Sequence, residues 1–142
     1  MWGIIIALIS GALMSIQGVF NTELTKQSSL WVTTGFAQLT AFIVCLFAWL
    51  ATGRQSVSAI LNVQPKYMLL AGAVGAFITL TVIKGMDSLG PAKAVMIIVV
   101  AQIITAYIIE VFGLFGVEKT GFELKSVVGA ALAIAGIVIF KW

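Results

Sequence analysis

The chain has 142 residues, 61% of them apolar and 9% charged, with a mean hydropathy of +1.16. That composition lies outside the range of an aqueous globular domain and makes lipid the solvent for most of the surface. The net charge of +3 comes from Lys and Arg scattered singly at the ends of apolar stretches, which reads as interfacial anchoring and excludes a basic patch for nucleic acid.

Histidine is absent and the five acidic residues have no ligand-like spacing, so neither a metal centre nor a histidine-activated nucleophile can be assembled. No Gly-rich phosphate loop of the Walker type is present. Neither a cofactor nor an enzymatic function is expected. The lone cysteine, Cys45, sits in an apolar run and reads as a buried packing residue.

Crossing about 30 Å of hydrocarbon takes about 20 residues at 1.5 Å each, and five stretches meet that requirement. The first runs from Trp2 to Asn21 with no Lys or Arg before it, so a cleaved signal peptide is not expected. It repeats small residues every four positions at Gly3, Ala7, Gly11 and Ser15. In lipid, close backbone approach replaces hydrophobic burial as the force that packs helices, so this stripe reads as a packing seam. Gln17 and Asn21 lie four apart and share a helix face, with Asn21 near the exit.

A polar connection over 22–29 holds Glu23 and Lys26 at ion-pair spacing. The second span, Leu30 to Thr52, carries Gln38 roughly a third to a half of the way in. After the loop 53–66 comes the third, Tyr67 to Gly85, with small residues at Ala71, Gly72, Gly75, Ala76 and Thr79. Lys84 and Asp87 at its end are spaced for a local ion pair.

Pro91 suits the first turn of the fourth span, which extends to Phe115. It places Gln102 near its middle and Glu110 towards its far end. Past a polar loop over 116–123, the fifth span, Leu124 to Phe140, offers Gly129, Ala133 and Gly136 as a further seam. Trp2, Trp31, Trp49, Tyr67 and Trp142 all fall near span ends, where amphipathic rings favour the headgroup region. The expectation is an all-α membrane protein, a single five-helix transmembrane domain over 1–142.

Polar groups at membrane depth cost free energy unless partnered, so Gln17, Asn21, Gln38, Gln102 and Glu110 are the residues to explain. They are candidates to line a solute path, and for the glutamines hydrogen bonding between helices is the alternative. Burial of Glu110 would suit it to handle charge, while a place at the interface would leave it ordinarily solvated.

Orientation in the membrane is normally set by an excess of Lys and Arg on one side. With the N-terminus defining side A, that side receives Arg54, Lys66, Lys119 and Lys125, and side B receives Lys26, Lys84, Lys93 and Lys141. The tie predicts insertion both ways and pairing of oppositely inserted copies about a two-fold axis in the membrane plane. An inverted copy brings its Glu110 to the depth of Gln17 and Asn21, and both Gln102 residues to the midplane.

The opening GIIIALISGALMSIQGVFNTEL, with Gln17 and Asn21, resembles the start of the bacterial YdcZ-like family, a five-helix branch of the drug/metabolite transporter superfamily. LGPAKAVMIIVVAQIITAYIIEVFGLFG is similar to that family's fourth helix, with Gln102, Glu110, Phe112 and Gly113 in the matching places. Ala101 and Val111 depart from the more usual glycine and histidine there, which weakens the case for a proton relay and leaves it to Glu110 alone. The resemblance covers essentially the whole chain. It implies residence in the bacterial cytoplasmic (inner) membrane and, as in small multidrug-resistance-type transporters, an antiparallel homodimer, here of ten helices.

Together these readings predict a secondary transporter or exporter of a small polar or cationic solute, working by alternating access. A small dual-topology ion channel and a non-transporting membrane interaction subunit are the alternatives.

Overall fold

A computed structural model describes residues 1–141, apart from the side chain of Lys141; Trp142, expected at the end of the last helix, lies outside the described residues. The long elements are α1 (Trp2–Gln27), α2 (Leu30–Ala51), α4 (Ala71–Leu89), α5 (Pro91–Phe112) and α6 (Leu124–Lys141), with a four-residue α3 (Ser58–Leu61) in the second loop. No strand occurs among the described residues. Four helical stretches are long and apolar enough to cross a membrane: Trp2–Gln27, Leu30–Ala51, Lys66–Leu89 and Pro91–Phe112. The fifth apolar helix, Leu124–Phe140, is shorter.

Where the helices end departs from the expected spans, for identifiable reasons. α1 continues past Asn21 to Gln27 because the polar residues there support a helix. Thr22 and Thr25 donate hydroxyl hydrogen bonds to the carbonyls of Gly18 and Asn21, each at 2.8 Å, and Glu23 pairs with Lys26 at 2.6 Å. The chain breaks only at Ser28, and Ser29 caps α2 by accepting from the Val32 amide at 3.4 Å.

The third apolar stretch begins as a 3-10 turn over Lys66–Leu70 and continues as α4 beyond Gly85 to Leu89, stopping where Gly90 adopts φ 78° ahead of Pro91. α5 stops at Phe112, three residues before Phe115, because Gly113 turns left-handed with φ 64°. A Cβ at Gly113 would also lie 3.1 Å from the Lys119 Cβ and 3.3 Å from the Val117 carbonyl oxygen. Only glycine satisfies both demands.

By packing, the helices gather into two compact units, Met1–Pro91 and Ala92–Trp142. In the first, α1, α2 and α4 pack together at the end where the α1–α2 turn lies. Gly18 is buried, and a Cβ there would collide with the Met86 side chain and lie 3.2 Å from Val82 Cγ1. Thr22, Thr33 and Thr34 are buried in the same region, as are Ile83 and Met86. Each threonine hydroxyl is satisfied locally: Thr34 donates to the Leu30 carbonyl at 2.8 Å, and Thr33 shares a 2.9 Å hydrogen bond with Ser28. The remaining surface is apolar and open, as in Ile4, Leu8, Phe42 and Phe47, each at least 63% exposed. Water would not tolerate such a surface, whereas lipid covers it without penalty.

The second unit comprises α5, a 3-10 turn at Leu114–Gly116 and α6. Its loop is fastened to α5 at two points. The Glu110 carbonyl accepts from the amides of Gly113 at 3.3 Å and Thr120 at 3.2 Å. The Tyr107 hydroxyl accepts from the Glu123 amide and donates to the Glu123 carbonyl, both at 3.2 Å, and its ring meets Phe122 edge-on with centroids 6.5 Å apart.

Two sequence expectations about single residues are corrected. Cys45 is exposed, on the outward face of α2, and does not pack in the interior. Lys84 and Asp87 form no ion pair; among the described residues the pair is Glu23–Lys26.

Candidate functional site

Gln17 and Asn21 line one groove, of about 590 Å³, between α1 and α2. Its α1 wall descends from Ser10 to Leu24 through positions three and four apart, one helix face, and Phe36, Ala37 and Thr40 of α2 close the other side. Phe20, Phe36 and the aliphatic side chains make the walls mostly apolar. Thr40 spends its hydroxyl proton on the Phe36 and Ala37 carbonyls, each at 3.0 Å. Gln17 is exposed and Asn21 half-buried, and neither carboxamide has a hydrogen-bond partner among the described residues. Each retains two N–H donors and a carbonyl acceptor for another molecule.

Glu110 lines a second groove, of about 450 Å³, between α5 and α6. Tyr107 and Ser126 stand near it, and Ala106, Gly129, Ala130 and Ala133 form a floor of small side chains. The carboxylate is exposed and has no hydrogen-bond or ion-pair partner among the described residues, although its backbone carbonyl carries two hydrogen bonds. Tyr107, three residues before Glu110 on the same face, holds the start of α6 through Glu123, which sets the width of this groove.

Gln38 and Gln102 belong to neither groove. The Gln38 Nε2 donates to Thr79 Oγ1 at 3.1 Å, and Thr79 donates onward to the Gly75 carbonyl at 3.1 Å, so Gln38 ties α2 to α4. Gln102 is exposed on α5, and its carboxamide makes no hydrogen bond among the described residues.

The small-residue stripes are open within the chain. Nothing approaches within 4 Å of a Cβ built at Gly3, Gly11, Gly72, Gly75, Gly129 or Gly136. Ala7 is exposed, and half-buried Ser15 bonds the Gly11 carbonyl at 3.1 Å. The close approach falls instead on Gly18. Its signal was present as Ser15, Gly18, Thr22 and Thr25, small residues alternating three and four apart. That alternation stays on one face of a 3.6-residue helix, whereas a strict repeat of four drifts round it by about 40° each step. Tyr107 and Ser126 carried no such signal, because their roles depend on how the loop closes.

Among the described residues no cluster of acidic or sulfur side chains could hold a metal ion. What the grooves present is unpartnered amides between apolar walls in one and an unpartnered carboxylate in the other. No curated protein and no solved structure matches the chain. The family described as "putative inner membrane exporter, YdcZ" matches residues 2–139, so the chain belongs to the YdcZ family and, with its four long apolar helices, is a multi-pass inner-membrane protein.

Proposed function

We propose that the chain exports a small polar or cationic solute by alternating access, as an antiparallel homodimer of five-helix chains in which each copy is a single transmembrane domain. The observation that carries this reading is the pair of unpartnered carboxamides, Gln17 and Asn21, in an apolar-walled groove. Amides held in such surroundings without a partner are costly, and a solute that hydrogen-bonds to them recovers that cost during passage.

The tie of four cations against four supports the inverted partner. So do the depths of the grooves. At 1.5 Å per residue Asn21 stands roughly 28 Å along α1 from Trp2, and Glu110 stands roughly 28 Å along α5 from Pro91. In a five-span topology the first and fourth spans cross the membrane in opposite directions, so inverting a copy would bring its Glu110 to the level of Asn21. A cation would then meet amides from one chain and a carboxylate from the other. α6, with 18 residues, reaches roughly 27 Å, enough to serve as the fifth span. The open stripes at Gly3, Gly11, Gly129 and Gly136 supply seams for the second copy. Gln38 is assigned to helix fastening, since one of its N–H groups bonds Thr79 of the neighbouring helix.

The test is uptake into proteoliposomes alongside two-sided labelling of a single cysteine placed next to the N-terminus in a Cys45→Ala background. The expected result is saturable flux and labelling from both sides. Labelling of essentially all N-termini from one side overturns the inverted dimer. Flux that does not saturate points to a channel, and absence of flux for every cationic and polar solute tried points to an interaction subunit.

A further inference from the structure

A third cavity, of about 190 Å³, lies between α5 and α6, and differs in character from the Glu110 groove on the same helix pair. Its walls are Met96, Ile97 and Val100 of α5 and Ile134, Ile137 and Val138 of α6, and among the described residues half-buried Lys93 is the charged one in its lining. Lys93 lies in the first turn of α5, whereas Val100 lies roughly 13 Å along that helix, close to the middle of a hydrocarbon layer about 30 Å thick. On α6, Val138 stands one turn from the end and Ile134 two turns from it. The slot therefore begins beneath one membrane surface and ends near the midplane, the extent of one leaflet.

We infer that this slot holds one acyl chain of an anionic glycerophospholipid, whose phosphate is met by the Lys93 ammonium. Charge and shape both select that occupant. Lysine buries its methylene stem along apolar surface and carries its ammonium to the headgroup level, where a cation draws anionic lipid. Ile, Val and Met walls leave room for a thin flexible chain, whereas a second helix docks where Gly and Ala let backbones approach, as on the floor of the Glu110 groove. The inference needs no particular orientation of the chain in the membrane and does not rest on the transport reading.

The experiment is thermal unfolding of the purified protein in a neutral detergent with added dioleoyl-phosphatidylglycerol, dioleoyl-phosphatidylcholine or glycerol phosphate. Phosphatidylglycerol is expected to raise the midpoint at lower concentration than phosphatidylcholine, and glycerol phosphate to leave it unchanged. Lys93→Gln is expected to weaken the phosphatidylglycerol response about fivefold, the worth of one lysine near an anionic surface, and to spare that to phosphatidylcholine. Val100→Phe, which fills the slot, is expected to abolish the difference between the two lipids. Equal responses to both lipids in the wild-type chain overturn the inference, as does a full preference retained in Lys93→Gln. A Val100→Phe chain that loses its dimer while keeping the lipid preference assigns the slot to a second copy and also overturns it.

Discussion

The two ends of the first unit are built from the same three helices and differ in what holds them. At the end bearing the α1–α2 turn, Gly18 admits Met86 against the α1 backbone, and Thr22, Thr33 and Thr34 are buried with their hydroxyls satisfied. At the other, Gly3, Gly11 and Gly72 have nothing near them, and residues 2–14 of α1 are exposed throughout. Without a hydrophobic driving force between helices in lipid, packing concentrates where small residues and satisfied hydroxyls allow it. The open end offers the same kind of residue with no partner from its own chain.

Gly18→Leu gives the largest expected loss. Its added side chain meets Met86 and Val82, and overpacking of this kind costs about 3 kcal/mol, measurable as reduced resistance to denaturant in detergent micelles. Gly11→Leu on the same helix has nothing to collide with and is expected to shift that stability by under about 0.5 kcal/mol. Equal losses in the two variants would end the contrast between the ends. If Gly11→Leu lowers the dimer mass while the monomer remains folded, the open end is where the second copy packs.

Next in size is the tie between α2 and α4. Gln38→Leu and Thr79→Val each remove one side of a 3.1 Å hydrogen bond, and a double-mutant cycle is expected to return a coupling of about 0.6 to 1.7 kcal/mol. A coupling of zero would detach Gln38 from the packing of the first unit. In the second unit, Tyr107→Phe removes both hydrogen bonds to Glu123. The expected cost is about 1 kcal/mol, together with faster hydrogen exchange at the Glu123 amide.

Much of this was legible in the sequence because lipid imposes a strong filter: length, apolarity and interfacial aromatics located every long helix. Asn21 and Gln17 on one face also followed from a spacing of four. Helix ends were read less well, since α1 extends through a segment whose polarity looked like a loop. Its hydroxyls bond back to carbonyls four residues earlier, which polarity alone does not reveal. Within the chain the close approach in α1 falls on Gly18, off the four-residue repeat, which drifts round the helix and stays open. Gln38 and Gln17 look equivalent in the sequence, and only the position of Thr79 separates them.

That separation sets the smallest expected effect on stability and the sharpest test of the groove. Gln17→Leu removes no hydrogen bond within the chain, so the unfolding midpoint should stay within the range of a neutral surface change, about 0.5 kcal/mol. Gln38→Leu should lose more than that, although both variants exchange the same amide for the same aliphatic side chain. Solute binding, read as the ligand-induced rise in midpoint, should follow the opposite order, falling in Gln17→Leu and persisting in Gln38→Leu. Loss of stability without loss of binding in Gln17→Leu would make its carboxamide a fastener between chains and remove it from the path. The opposing pattern in two chemically identical substitutions would assign the groove amide to recognition and the bonded one to architecture.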